Sequence, residues 1–245
     1  MSVQASTAGL RAPAWEPSPC GGLRLWLHGE AVVLRASGGL WSPGHETLVV
    51  ADLHLEKGSA YAARGQMLPP YDTRETLRRL GLEVAALRPR RVILLGDTFH
   101  DRGSEDRLAP DDAEALRALA SGLSLLWLVG NHDADGPRAL PGETADDFDL
   151  GALRLRHEPG QGPSPGEVAG HLHPCARVVA SRGSVRRRCF VTDGERIVLP
   201  AFGAYAGGLN IRDPAISALF GQPPLAGALG VGRVHAVGWR SVQSD

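Results

Sequence analysis

The sequence predicts an α/β protein, on three observations. Short apolar runs alternate with helical stretches through the central part of the chain. Three of those runs end directly in a polar motif carrying Asp, His or Asn. Beyond residue 131 the helical pattern gives way to short β-prone segments cut by Gly and Pro.

Residues 1–22 are rich in Ala, Pro, Ser and Gly and keep no sustained period, so a disordered lead-in is expected there, ending at Pro19-Cys20-Gly21-Gly22. The remainder, 23–245, fits one domain with one sizeable core. Residues 23–28 and 31–35 flank a turn at Gly29-Glu30 and read as a hairpin. Residues 47–51, 92–95 and 125–129 are apolar, strand-length runs. Between them, residues 72–87 place Leu77, Leu80, Val84 and Leu87 at helical spacing, and residues 113–120 read as a second helix opened by Pro110-Asp111-Asp112. The later segments at 150–157, 168–170, 177–180, 186–192 and 196–199 predict a largely antiparallel second sheet. Residues 159–166 are a loop, whose glycines fit no dinucleotide fingerprint.

Composition narrows the function classes. With 43% hydrophobic and 22% charged residues and a formal net charge of -1, no global charge advertises a nucleic-acid or acidic-membrane partner, so any basic surface is local. The positive charge is nearly all arginine, Lys57 being the only lysine. Cys20, Cys175 and Cys189 are too scattered for a disulfide framework and form no C-x-x-C pair, which favours a reducing cytoplasm. No apolar run approaches the roughly 20 residues of a membrane span.

Five motifs carry the chemistry. Asp52-Leu53-His54 follows an apolar strand, and residues i and i+2 of extended chain point to one side, so a carboxylate and an imidazole can grip one cation. Gly96-Asp97-Thr98-Phe99-His100-Asp101 follows the next strand, its glycine letting Asp97 turn to the same rim, where it could bridge two metals. Gly130-Asn131-His132-Asp133 offers a neutral carbonyl oxygen and an imidazole. His157 and Gly170-His171-Leu172-His173 add three more imidazoles. Without a thiolate, this N/O set suits manganese, iron, zinc or magnesium better than a structural zinc. Two cations about 3.5–4 Å apart can lower the pKa of a shared water and clamp phosphate oxygens, which is what hydrolysis of a phosphoester demands.

In this ordered series the sequence resembles the calcineurin-like metallophosphoesterase superfamily. The resemblance implies a four-layer α-β-β-α sandwich of two mixed sheets flanked by helices. It implies one divalent metal held by Asp52, His54, Asp97 and His173, and a second by Asp97, Asn131, His157 and His171. Manganese is the first expectation, and His132 would stand beside the phosphate as the catalytic residue. Within the superfamily the chain is most similar to the bacterial ligase-associated DNA-damage-response endonucleases. That likeness rests on residues 51–57, residues 96–101 and the tail 199–210, with Glu56 standing where glycine is expected and Ala206 where threonine is common. It implies a DNA-repair nuclease functionally associated with a DNA ligase and a helicase.

Several residues have two readings. Lys57 and Arg64 follow the first motif and either meet phosphate or sit on a solvated helix face. Arg186 and Arg188, in the basic cluster that starts at Arg182, either line a nucleic-acid groove or guard a solvated edge strand. His100 and Asp133 adjoin candidate ligands and could orient them. His28, His45 and His235 lack ligand-spaced neighbours and fit surface or core roles, as Cys175 fits packing. Two competing functions remain: a phosphatase or phosphodiesterase on a small phosphoester, nucleotide or phosphoprotein, and a scaffold that binds protein partners. Seven filled ligand positions speak against the scaffold.

Overall fold

The computed structural model describes residues 15–181 and 183–245. An eight-stranded sheet comes first: β1 (Glu16–Pro17), β2 (Leu23–Leu27), β3 (Glu30–Leu34), β4 (Leu40–Ser42), β5 (Thr47–Val50), β6 (Arg91–Leu95), β7 (Ser124–Leu128) and β8 (Glu143–Ala145), side by side in chain order. Pairing is antiparallel from β1 to β5 and parallel from β5 to β8. Side chains in β5–β7 alternate between two buried faces, as a covered parallel sheet requires. Leu48, Val50, Val92, Leu94, Leu125 and Trp127 face the helices. Val49, Ala51, Ile93, Leu95, Leu126 and Leu128 face the second sheet.

The helices are α1 (Lys57–Ala62), α2 (Asp72–Leu87), α3 (Ser104–Arg107) and α4 (Pro110–Gly122). The 72–87 helix appears with the limits its leucine spacing predicts. Leu77 and Leu80 are buried and Val84 and Leu87 pack beside them, with Asp72 and Glu75 in the first turn, where negative charge meets the positive end of the helix dipole. Pro110 stands at the start of α4, where its missing N–H leaves no helical bond unmade.

The second sheet holds β9 (Asp147–Leu150), β10 (Leu153–Arg156), β11 (Glu167–Ala169), β12 (Pro174–Ala180), β13 (Gly183–Thr192), β14 (Ile197–Val198), β15 (Leu209–Asn210), β16 (Leu225–Leu229), β17 (Val234–Val237) and β18 (Val242–Gln243). Most pairs are antiparallel; β10–β11, β11–β14 and β12–β15 are parallel. Its inner face closes on the first sheet through Leu155, Val168, Phe190, Ile197 and Leu199. Its outer face is covered by Ile211, Ile216, Leu219 and Phe220 from irregular chain around the one-turn α5 (Pro214–Ser217). The expected layer order is present, with a thin fourth layer.

Some expectations shift. The hairpin turns on His28-Gly29, both with positive φ (48° and 86°), one residue before the expected pair. The lead-in expected over 1–22 lies outside the described residues as far as position 14. From Trp15 onward the chain is tied down, with Trp15 against the inter-sheet core and Glu16–Pro17 paired to β2. Among the described residues no helix is long and apolar enough to cross a membrane.

Candidate metal centre

Chain leaving the C-terminal ends of β5, β6 and β7 gathers at one rim, the usual ligand edge of a parallel sheet. The 52–55 loop runs beside the 96–100 loop beyond the strand ends, through His54 N–H to the Asp97 carbonyl (2.9 Å), Leu55 N–H to that of Thr98 (2.8 Å) and His100 N–H to that of Leu55 (3.0 Å). The third loop is locked to the second by Asp133. Its two carboxylate oxygens accept from the backbone N–H groups of Asp97 (3.2 Å), Thr98 (2.7 Å), Phe99 (3.1 Å) and Gly130 (2.9 Å). The glycines of these motifs are steric necessities. A Cβ on Gly96, which also holds φ at +73°, would strike the His157 ring, and one on Gly130 would strike Asp97.

The seven residues singled out in the sequence converge as two groups of donor atoms. In one, His54 Nε2 and His173 Nε2 lie 3.1 Å apart, with Asp52 Oδ1 3.4 Å from His173 Nε2. In the other, His157 Nε2 lies 3.0 Å from Asn131 Oδ1 and 3.1 Å from His171 Nδ1. Asp97 Oδ2 stands between them, 3.9 Å from His54 Nε2 and 3.4 Å from His157 Nε2.

This arrangement fits a pair of divalent cations better than it fits an ordinary polar core. Two neutral imidazole nitrogens 3.1 Å apart can satisfy each other only once, and each group contains such a facing pair. Asp52 and Asp97 are buried, and among the described residues their ion-pair partners are histidines alone, with no arginine or lysine to compensate them. Asp52, His54, Asp97, His171 and His173 all adopt left-handed backbone, with φ between 46° and 69°. Such strain in non-glycine residues persists where a function over-determines it. With neutral imidazoles the cluster carries two negative charges.

The outer contacts fix ring orientation. His157 Nδ1–H donates to the Leu95 carbonyl (3.2 Å), a tautomer inferred from its partner, which leaves Nε2 free as a donor atom to metal. The His171 amide donates to both Asp52 oxygens (3.1 and 3.0 Å). In the metal-free protein burial pulls His54 down to about 3, reinforced by the neighbouring His173. Burial also works against charge on His157, but the hydrogen bond to Asp97 and the field of Asp52 win and push it up to about 9. Asp97 is held low: burial opposes ionisation, and the bond to His157 overrides it.

The calcineurin-like phosphoesterase family matches residues 45–198, well over half of the chain and the whole span of the donor groups. The chain belongs to that family. The nuclease MPE of Pseudomonas putida is similar in structure, with a TM-score of 0.65 and 29% identity over 92% of this chain and 100% of that one. The phosphoesterase Yfce of E. coli matches with a TM-score of 0.37 and 18% identity over 78% of this chain and 98% of that one. No curated protein sequence matches. The calcineurin-like phosphoesterase is therefore a hydrolase of phosphoesters that takes divalent metal.

The remaining candidates divide. His132 is partly exposed at the rim, its Nδ1 held by the His100 carbonyl (2.7 Å) and its Nε2 turned toward Asp97 Oδ2 (3.9 Å). His100 orients it through that carbonyl and by ring stacking at 5.6 Å, while its own side chain bonds no ligand. Lys57 and Arg64 lie close enough for their charge to depress the His100 ring, after the larger effect of burial. Arg188 spends its guanidinium on the carbonyls of Ala201 (2.9 Å), Gly203 (2.7 Å) and Ala204 (3.1 Å), and Arg186 donates to the Gly208 carbonyl (2.6 Å) and Asp245 (3.3 Å). For Arg188 this corrects the simple picture of a side chain free to grip substrate: its donors strap the tail to the sheet. Arg182 lies outside the described residues.

Glu56 also finds its explanation. Its φ is +64°, which accounts for the glycine expected there, and the glutamate is held by Thr73, whose hydroxyl accepts from Glu56 N–H (2.8 Å) and donates to its carboxylate (2.9 Å). Sequence reasoning missed two supports: the carbonyl of His100, and the clamp of Arg107 on Ser59 (3.0 Å) and Asp101 (2.8 Å). Neither has a local sequence signal, because one is main chain and the other spans 48 residues.

Proposed function

We propose that this hydrolase is a dinuclear phosphodiesterase that cleaves nucleic acid, DNA above all, in repair. The observation that carries the reading is the pair of donor groups joined by Asp97 Oδ2, with His132 at their open edge. Asp52, His54, Asp97 and His173 would hold one cation; Asp97, Asn131, His157 and His171 would hold the other. The likeness to a nuclease over nearly the whole chain supports nucleic acid as the substrate. Manganese is the metal that suits the set first, and the three free cysteines agree with a reducing cytoplasm. A DNA ligase and a helicase are the proposed functional partners.

When bound, the cations supply an activated water and neutralise charge on the phosphate. The chain's own residues do the rest. Asp97 keeps the two centres in register, and Asp133 keeps Asp97 in place. With Nδ1–H engaged by a carbonyl, His132 presents Nε2 to the phosphate, where its protonated form stabilises the developing charge and gives its proton to the leaving oxygen.

The test is hydrolysis by metal-stripped protein re-supplied in turn with manganese, zinc and magnesium. The substrates are bis-p-nitrophenyl phosphate, p-nitrophenyl phosphate and labelled single-stranded DNA, with Asp97→Ala as the blank. Metal-dependent cleavage of the diester and the DNA supports the reading. Turnover of the monoester alone replaces it with a small-molecule phosphatase.

A further inference from the structure

We propose that the exposed Arg186 and Arg187, with the strapped Arg79 and Arg188 adding positive charge from the walls, form an anion track that holds the phosphodiester backbone of a single-stranded nucleic acid as it leaves the metal centre. The track rests on the nuclease reading and says where the rest of the strand lies. The four arginines line one cavity of about 290 Å³, with Ser37 and Leu229 on its walls. That is room for a phosphate and its sugar.

The positive charge of this cavity is compensated only in part. Arg79 donates to the carbonyls of Phe202 (3.0 Å) and Ser37 (2.7 Å), and Arg188 to the three tail carbonyls; neither meets a carboxylate. The two acids nearest Arg79 are engaged elsewhere, Glu75 by both arms of Arg78 and Glu83 by Arg35. Arg187 is exposed and reaches only the carbonyl of Arg186, at 3.4 Å. Among the described residues Asp245, beside Arg186, is the one carboxylate bonded to the four. In a chain of net charge -1, four guanidinium groups around one cavity make a local field that attracts an anion.

The cavity adjoins the metal centre. The tail segment that Arg188 and Arg79 hold also caps the first motif, Phe202 N–H donating to the Ala51 carbonyl (2.8 Å) and Gly203 N–H to that of Asp52 (3.1 Å). Arg188 pairs with Cys175, two residues beyond His173. Two residues along a strand and one strand across span roughly 8 Å. The arginines therefore stand within a few phosphates of the bond at the centre. Arginine matches that role, since its fork pairs two phosphate oxygens at once.

The experiment uses the manganese-loaded full chain and the variants Arg187→Ala and Arg186→Ala/Arg187→Ala, whose side chains are exposed. Cleavage of a labelled single-stranded 20-mer and of bis-p-nitrophenyl phosphate is followed between 50 and 200 mM salt, with Arg24→Ala, on β2, as a charge-matched control. The oligonucleotide KM rises about tenfold in the double variant, and the ratio of kcat/KM between oligonucleotide and diester falls by a similar factor. The slope of log affinity against log salt becomes shallower by about 0.7 per contact removed. Arg24→Ala keeps the wild-type slope. Unchanged KM and slope in the double variant overturn the track. If the wild type cleaves the diester but not the 20-mer, the nuclease reading fails separately, and fluorescence anisotropy then decides the track. Binding of the 20-mer that is lost in the double variant sustains it, and no binding by the wild type ends it.

Discussion

Replacing Asp133 by asparagine changes one atom of a buried side chain and should unhinge the metal centre without touching a ligand. Each carboxylate oxygen of Asp133 accepts two backbone N–H groups, Oδ1 from Asp97 and Gly130, Oδ2 from Thr98 and Phe99. In Asp133→Asn one oxygen becomes an NH2 group that cannot accept, so two buried donors lose their partner and face another donor. At about 1–3 kcal/mol for each buried unsatisfied group, the loss is about 4 kcal/mol. For a chain of this size that lowers Tm by about 12 °C. Burial pushes the Asp133 carboxyl above its ordinary range, and the backbone donors work the other way, so the carboxylate depends on those bonds to stay charged. The assay is urea and thermal unfolding of metal-free protein, with metal content measured alongside. A variant within about 1 kcal/mol of wild type that still loads metal fully would refute the view that Asp133 holds the second and third loops together.

Other consequences follow from the same geometry. His132→Ala should lower kcat by about 10²- to 10⁴-fold with metal content unchanged, read by steady-state kinetics and elemental analysis. Arg188→Ala should destabilise by about 3 kcal/mol through the loss of three charged hydrogen bonds to the tail, and lysine, lacking the fork, should not restore it in denaturant titrations. In metal-free protein the raised His157, at about 9, contributes stability that is full below its unfolded value of about 6.5 and lost as pH climbs through 9. The lowered His54, at about 3, removes stability as pH falls below about 6.5, because only the unfolded chain takes up that proton. Metal-free stability should therefore peak near pH 6.5, falling by about 3 kcal/mol toward pH 9 and by about 2 kcal/mol toward pH 5, and a flat profile from pH 5 to 9 would sink the assignment. Because His157 must be neutral to bind metal, loading at pH 7 should release about one proton, measured by calorimetry in buffers of different ionisation enthalpy.

The parts of the fold set by local pattern were legible. The β5–β7 strands and the 72–87 helix follow from apolar spacing, and the ligand motifs follow those strands because the chain must turn at a strand end. The short strands β1, β4, β8, β17 and β18 escaped notice, since two to four residues carry no period. Which imidazole faces which was not legible either, because His54 and His173 are 119 residues apart and meet only when both sheets close. The arginine triplet could be counted but not interpreted: whether Arg188 grips substrate or strap depends on carbonyls 13–16 residues away. Glycine at 96 was readable as turn chemistry, though at 96 and 130 alike the reason is also the side chain that presses on each.

The claim on which the account turns is that Asp97 joins two cations, and counting bound metal tests it most directly. Metal-stripped wild type, Asp97→Ala and His132→Ala are equilibrated with excess manganese, freed of unbound ion and analysed for manganese per chain. About two ions are expected in wild type and in His132→Ala, and less than one in Asp97→Ala, with diester hydrolysis appearing only as the second ion binds. One ion or none in wild type, or two retained after Asp97 is removed, would contradict it.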